Sequence, residues 1–177
     1  MTGEPPTVIR VFQPTDAEAV RRLFIRVNRD LAPPDQRAAF ETYIEASLGD
    51  EIDRIDDYYR RDKGGEFWVV CRGDALAGMF GVERLDPRRA ELRRMYVTPE
   101  FRRQGLAKRM LVHAERYCRD AGFEELIVST SEVQEAALAL YHAAGYRQTG
   151  EERAETRSNK TVGGGIRRFH FVKPLTA

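Results

Sequence analysis

The stretch VTPEFRRQGLAKRML, Val97 to Leu111, restricts this chain more than any other segment. A run of β character ends at Val97, Pro99 interrupts it, and an amphipathic helical pattern opens at Gly105. A strand must therefore pass through a tight loop into a helix that starts on Arg102-Arg103-Gln104-Gly105-Leu106-Ala107. Helix N-termini carry unpaired backbone N–H groups and the positive end of the dipole, which together hold anions. Gly105 and Ala107 keep side chains clear of that backbone, while Arg102, Arg103 and Lys108 put positive charge around it. The pattern predicts a pyrophosphate cradle. The plainer alternative is a tight turn whose arginines face solvent. Neither G-x-x-x-x-G-K-[ST] nor G-x-G-x-x-G after a strand occurs, so the two best-known phosphate loops are excluded.

At 177 residues the chain fits one domain, 1–177, large enough to bury a core without covalent staples. Its net charge of +1 provides no overall field for nucleic acid or an anionic membrane. Basic residues are nearly all arginine; lysine occurs only at Lys63, Lys108, Lys160 and Lys173. Two cysteines, Cys71 and Cys118, cannot build a disulfide scaffold or a cysteine zinc site, and both read as small buried hydrophobes. His113, His142 and His170 share no ligand-like spacing, so no metal is expected. No signal peptide or 18-residue apolar run is present, and a cytoplasmic location is expected.

Periodicity divides the chain into alternating elements. Thr7 to Gln13 reads as a strand and Ala17 to about Arg29 as a helix, with a loop at Asp30 to Asp35 around Pro33-Pro34. A charged helical region from Ala38 to Arg61 is broken near Gly49. Phe67 to Arg72, Ala75 to Arg84 and Ala90 to Val97 are strands, followed by a helix from Gly105 to Ala121. Leu126 to Thr130 is a short buried strand, Ala136 to Ala144 a helix, and Tyr146 to Glu151 and Ile166 to Lys173 the last strands. Glu152 to Gly165 reads as a mobile polar loop. The fold class is α/β (α+β), a mixed sheet with helices on both faces. One spacing is irregular: Leu92 and Met95 both look like core, yet alternation cannot put residues three apart on one face. A β-bulge near Met95 would, and bulges are frequent beside active sites.

Arg102-x-x-Gly105-x-Ala107, preceded by LRRMYVTPEF, resembles the acetyl-CoA signature [QR]-x-x-G-x-[GA] of the GNAT N-acetyltransferases. Downstream, ALALYHAAGYR (Ala137 to Arg147) is similar to that family's second signature, A-x-x-L-Y-x-x-x-G-[FY]. STSEVQEAALALY (Ser129 to Tyr141) also looks like the camello-like branch, which includes membrane-anchored enzymes, although no anchor is expected here.

The resemblance implies the GNAT fold, a sheet of about seven strands splayed between the fourth and fifth, with the pantetheine arm in the gap. Met95, Tyr96 and Val97 would bond the pantetheine amides. Arg102, Arg103, Gln104, Gly105, Leu106, Ala107 and Lys108 would form the pyrophosphate site. Tyr141 matches the family tyrosine proposed as general acid for the departing thiolate, or else is a core aromatic. Gln134 stands seven residues before it, where the family often has a pantetheine-binding asparagine. Glu91 and Glu83 are candidate bases on the flanking strands, or else exposed strand carboxylates, or partners for Arg93 or Arg94. An amine is mostly protonated at neutral pH, so a base must act, directly or through water, and no covalent enzyme intermediate is needed.

The expected activity is acetyl transfer from acetyl-CoA to a primary amine of a small molecule or peptide, by direct attack in a ternary complex. The alternative is a non-catalytic acyl-CoA-binding or sensor module. Nucleic acid and membrane are not expected partners, and a monomer or homodimer is expected. From Glu41 to Asp62, acids interleave with Tyr43, Tyr58 and Tyr59. That composition suits a cationic amine, or simply a solvated helix face over buried tyrosines.

Overall fold

The computed structural model describes residues 3–175. Strand β1 (Thr7–Val11) leads into helix α1 (Ala17–Leu31), which buries Val20, Leu23, Phe24 and Val27 along one stripe. Asp30 and Leu31, expected in a loop, form the last turn of α1, and the chain breaks only at the proline pair. Helix α2 (Arg37–Asp50) and the single-turn α3 (Ile55–Tyr58) follow. The break between them falls just after Gly49, where Glu51 leaves the helical conformation and turns its side chain inward.

Strands β2 (Glu66–Arg72), β3 (Ala75–Arg84) and β4 (Arg89–Val97) form an antiparallel meander. Helix α4 (Leu106–Asp120) carries the chain over to β5 (Glu125–Ser131), which lies parallel to β4. Helix α5 (Glu135–Ala143) then precedes β6 (Arg147–Ala154) and β7 (Ile166–Pro174). The seven strands lie in the order β1-β2-β3-β4-β5-β7-β6, so β7 returns inside β6. This is the expected mixed sheet. β6 runs on to Ala154, shortening the loop predicted to begin at Glu152.

Both faces of the sheet are covered, which explains why β2 is apolar without alternation. Trp68 and Val70 join the core with α4, through Met110, Leu111, Ala114 and Cys118. Phe67 and Val69 face the opposite way, onto α1 and α2 through Phe24, Tyr43 and Ile44. Gly81 allows Tyr59 to enter this second core, because a Cβ there would lie 2.6 Å from the Tyr59 ring.

Two irregularities open the sheet. Met79 and Gly81 on β3 pair with Tyr96 and Arg93 on β4, so β4 carries one extra residue, in the Arg94–Met95 segment. Arg94 adopts a left-handed φ of 54° there, at a cost of about 1–2 kcal/mol for a side chain with a Cβ. The bulge puts Leu92 and Met95 against the same core, as their spacing predicts. Meanwhile β4 and β5 pair only from Arg89↔Glu125 to Leu92↔Val128. Beyond that register they diverge, and the parallel ladder ends where the bulge begins.

Candidate active site

The turn after β4 leaves its backbone N–H groups open. Arg103 and Gly105 both have positive φ, 62° and 76°, which folds the backbone back on itself ahead of α4. Among the described residues, no backbone N–H from Arg103 to Lys108 donates to a carbonyl; Arg109 begins the helical ladder by donating to Gly105. A Cβ on Gly105 would meet nothing within 4 Å, so the space in front of the turn is open. Arg102 donates back to the Val97 carbonyl (3.3 Å) and braces the turn.

Where β4 and β5 separate lies a cleft of about 120 Å³. It brings together Glu91, Met95 and Tyr96 from β4, Gln134 from the turn before α5, and Tyr141 from α5. Val97, Glu83 and the 102–108 turn are not part of its lining. Tyr141 is only 5% exposed, and its hydroxyl bonds no other described residue, yet the oxygen is not sealed off from the cleft. Burial, with Tyr96 beside it, pushes this phenol above its ordinary value, so it is protonated at neutral pH. Gln134 accepts from Thr130 through Oε1 (3.0 Å), which anchors the side chain and leaves its amide nitrogen without a partner among the described residues.

The two candidate bases face each other across β3 and β4, Glu83 opposite Glu91. Like charges in that register repel unless a cation intervenes. Lys160, from the β6–β7 loop, does so: its Nζ lies 2.6 Å from Glu91 and 4.0 Å from Glu83. Glu91 is 7% exposed, whereas the Glu83 side chain is 28% exposed and also approaches Arg93 (3.4 Å).

Beneath the cleft, Glu51 is fully buried between two guanidinium groups, Arg93 (2.7 Å) and Arg94 (2.6 Å). Tyr59 donates its hydroxyl to the same carboxylate, and Arg94 also donates to Tyr43 and the Asn159 carbonyl, each at 2.6 Å. Burial alone would raise the Glu51 carboxyl, but Arg94 and Arg93 outweigh it and hold it down at about 2.

The Acetyltransferase (GNAT) family model matches residues 27–146. The chain belongs to the GNAT family. The GNAT chain is 32% identical to human N-acetyltransferase 8 over 114 residues, covering 62% of the chain and 50% of that relative. It spans about half the length of that curated relative, and the match bears out the likeness to the camello-like branch. Among solved structures, a GNAT acetyltransferase from Staphylococcus aureus superposes with a TM-score of 0.75 at 18% identity, covering 97% of this chain and all of that one. Spermidine N-acetyltransferase from Vibrio cholerae, in complex with CoA and spermine, superposes with a TM-score of 0.68 at 15% identity, covering 96% and 95% of the two chains. Both share the GNAT fold.

Sequence reasoning missed four of the site's charges. The acids of Glu41 to Asp62 do not line an anionic acceptor pocket in this GNAT chain. Glu41, Asp53 and Asp62 pair with Arg29, Arg21 and Arg60 at the surface, and Glu51 is neutralised inside. Arg93 and Arg94 turn inward, Lys160 reaches back from a loop, and Arg168 on β7 joins the cleft lining. Alternation in IRRFHF places Arg168 on one face with Ile166 and His170, but nothing in it shows what that face meets. Burial pushes both thiols up, Cys118 to about 12, so neither is a ready nucleophile. Among the described residues, no helix is long and apolar enough to cross a membrane.

Proposed function

We propose that this chain transfers an acetyl group from acetyl-CoA to a primary amine of a small molecule or peptide, by direct attack in a ternary complex. The observation that carries the reading is the coincidence of two openings. The β4–β5 ladder stops at Leu92, and the turn that follows β4 presents a row of unpartnered N–H groups. A gap of this kind fits an extended amide-bearing arm, and the turn fits a pyrophosphate. Acetyl-CoA supplies the thioester.

The chain's own residues do the rest. The N–H groups of Arg103, Gln104, Gly105, Leu106, Ala107 and Lys108, with the Arg102 side chain, hold the phosphates. Met95, Tyr96 and Val97 align the arm through their backbone, and the Gln134 amide supports it from the turn before α5. Glu91 takes the proton from the incoming ammonium, directly or through water, with Glu83 as the lesser candidate. The amine nitrogen then bonds the acetyl carbon as the carbon–sulfur bond breaks, the Tyr141 hydroxyl delivers a proton to the departing sulfur, and the second proton shed by the nitrogen passes through water to restore that hydroxyl.

One observation favours a second reading, an acyl-CoA-binding module that does not turn over: Lys160 already sits on Glu91. An amine panel with acetyl-CoA and thiol detection tests the two. Amine-dependent thiol release supports transfer. Acetyl-CoA binding with no release for any amine supports the module.

A further inference from the structure

Four cations surround the cleft: Arg93, Arg94, Lys160 and Arg168. Three are paired within the chain: Arg94 with Glu51, Arg93 with Glu51 and Glu83, and Lys160 with Glu91. Arg168 is not. Among the described residues it forms no ion pair, and its Nε is sealed from solvent without an acceptor.

The acids around Arg168 are engaged elsewhere. Its register partner on β6, Glu152, approaches His170 Nε2 (3.2 Å) instead. Glu132 and Glu151 are held by the neighbouring Arg167. Its register partner on β5 is Ser131, which carries no charge. Burial lowers the pKa of this guanidinium, and Glu91 and Glu152 act on it only from a distance. A half-buried cation with no partner destabilises a fold, so folding alone does not account for one on a cleft wall. A guanidinium presents a planar fork of donors that matches a carboxylate in two-point contact.

Resting on the acetyltransferase reading above, we propose that Arg168 is the counter-ion for a carboxylate on the acceptor. The cleft then selects amines that carry a carboxylate, amino acids being the simplest class, over neutral or polycationic amines. The charges agree. Glu51, Glu83 and Glu91 offset Arg93, Arg94 and Lys160, Arg168 leaves one positive charge, and an acceptor carboxylate neutralises it. Arg168 thus sets specificity and takes no part in bond making.

The test compares free α-amino acids with their carboxamides, and with spermidine, as acceptors for the full-length chain and acetyl-CoA. The carboxamides have the less basic amine, so a preference for the free acids cannot come from amine ionisation. Free acids should exceed their amides in kcat/KM by about ten- to a hundredfold, the range of a charge-assisted hydrogen bond. Arg168→Gln should remove that preference, leave the amides within about twofold, and not lower the Tm. Amides or spermidine used as well as the acids by the wild-type chain would overturn the proposal, whatever the variant does. So would an Arg168→Gln protein that loses acids and amides alike. If acetyl-CoA binds but no amine is acetylated, the transfer reading fails separately. Calorimetric titration of the CoA-saturated chain with the same acids and amides then decides. Acid-selective binding lost in Arg168→Gln sustains the carboxylate site, and equal or absent binding rejects it.

Discussion

The Glu51 cluster and the cleft above it use the same residue types, but they are completed differently. In the cluster, the carboxylate is enclosed by Arg93, Arg94 and Tyr59, and Arg94 spends its other donors on Tyr43 and Asn159. In the cleft and its flanking turn, Arg168 Nε, the Tyr141 hydroxyl and the N–H groups of Arg103 to Lys108 have no partner among the described residues. Buried polar groups in native proteins are almost always satisfied. A region where all are satisfied holds the fold, and one that leaves a buried guanidinium nitrogen unmatched beside open donors has room for something that arrives. The first region ties α2, the strand bulge and the β6–β7 loop together. The second reads as the reaction site.

The largest effect should come from breaking the complete region. Glu51→Gln leaves the buried Arg94 without a carboxylate and Arg93 with only its longer contact to Glu83 (3.4 Å), and should cost about 3–5 kcal/mol. For a chain of this size that is a fall in Tm of roughly 10 °C. The pH dependence follows from the depressed carboxyl. With its folded value at about 2 against an ordinary 4.5, Glu51 contributes its full stability above pH 4.5 and loses it as pH falls toward 2. Acid unfolding of the wild-type chain should therefore be steeper across that window than that of Glu51→Gln. A variant as stable as wild type would mean that the cluster, too, awaits a ligand.

Tyr141→Phe probes the incomplete region by removing one hydroxyl that bonds nothing in the free chain. Stability should barely change and acetyl-CoA affinity should hold, while turnover falls by about 10²–10⁴, the range for general acid–base catalysis. Turnover within twofold of wild type would make Tyr141 a packing residue.

The same contrast explains what could be read from the sequence. The open turn, the bulge and the placing of Tyr141 on a helix are local: a glycine at a strand–helix junction, a spacing of three between Leu92 and Met95, and a short helical motif. The sheet followed from periodicity, as did the coverage of both its faces. The charges of the site are not local. Glu51 meets Arg93 and Arg94 from more than forty positions away, and in the sequence it is one acid among several on a helix that looks solvated. Lys160 and Arg168 stand in and after a polar loop, and whether a cation is paired depends on what the fold brings beside it.

A smaller effect should follow from filling the open turn. Gly105→Val places a branched side chain at φ 76°, in space that is free for a phosphate. Acetyl-CoA at a hundred times its Kd should stabilise the wild-type chain by about 2.7 kcal/mol. Thermal unfolding with and without acetyl-CoA should show that shift in the wild-type chain and lose it in Gly105→Val. A folded Gly105→Val protein that keeps the whole shift would show that the phosphates bind elsewhere.

The smallest expected effect, and the finest test of the incomplete region, concerns Glu91 and the lysine that covers it. Glu91 lies in the cleft wall and Glu83 outside it, so the two should not be equivalent. Glu91→Gln keeps the size and hydrogen-bonding capacity but cannot take a proton. The rate at neutral pH should fall by about tenfold, less than for Tyr141→Phe, because an amine can also lose its proton to bulk water. It should partly recover at high pH, where more of the amine is already neutral, and Glu83→Gln should change it less. Lys160→Met supplies the control. If the acceptor ammonium must displace Lys160 from Glu91, removing that ammonium should lower KM without lowering kcat. A reversed ranking of the two glutamates would move the base to β3. A pH–rate profile untouched by either change would leave the Lys160–Glu91 pair as a latch that holds the β6–β7 loop on the sheet.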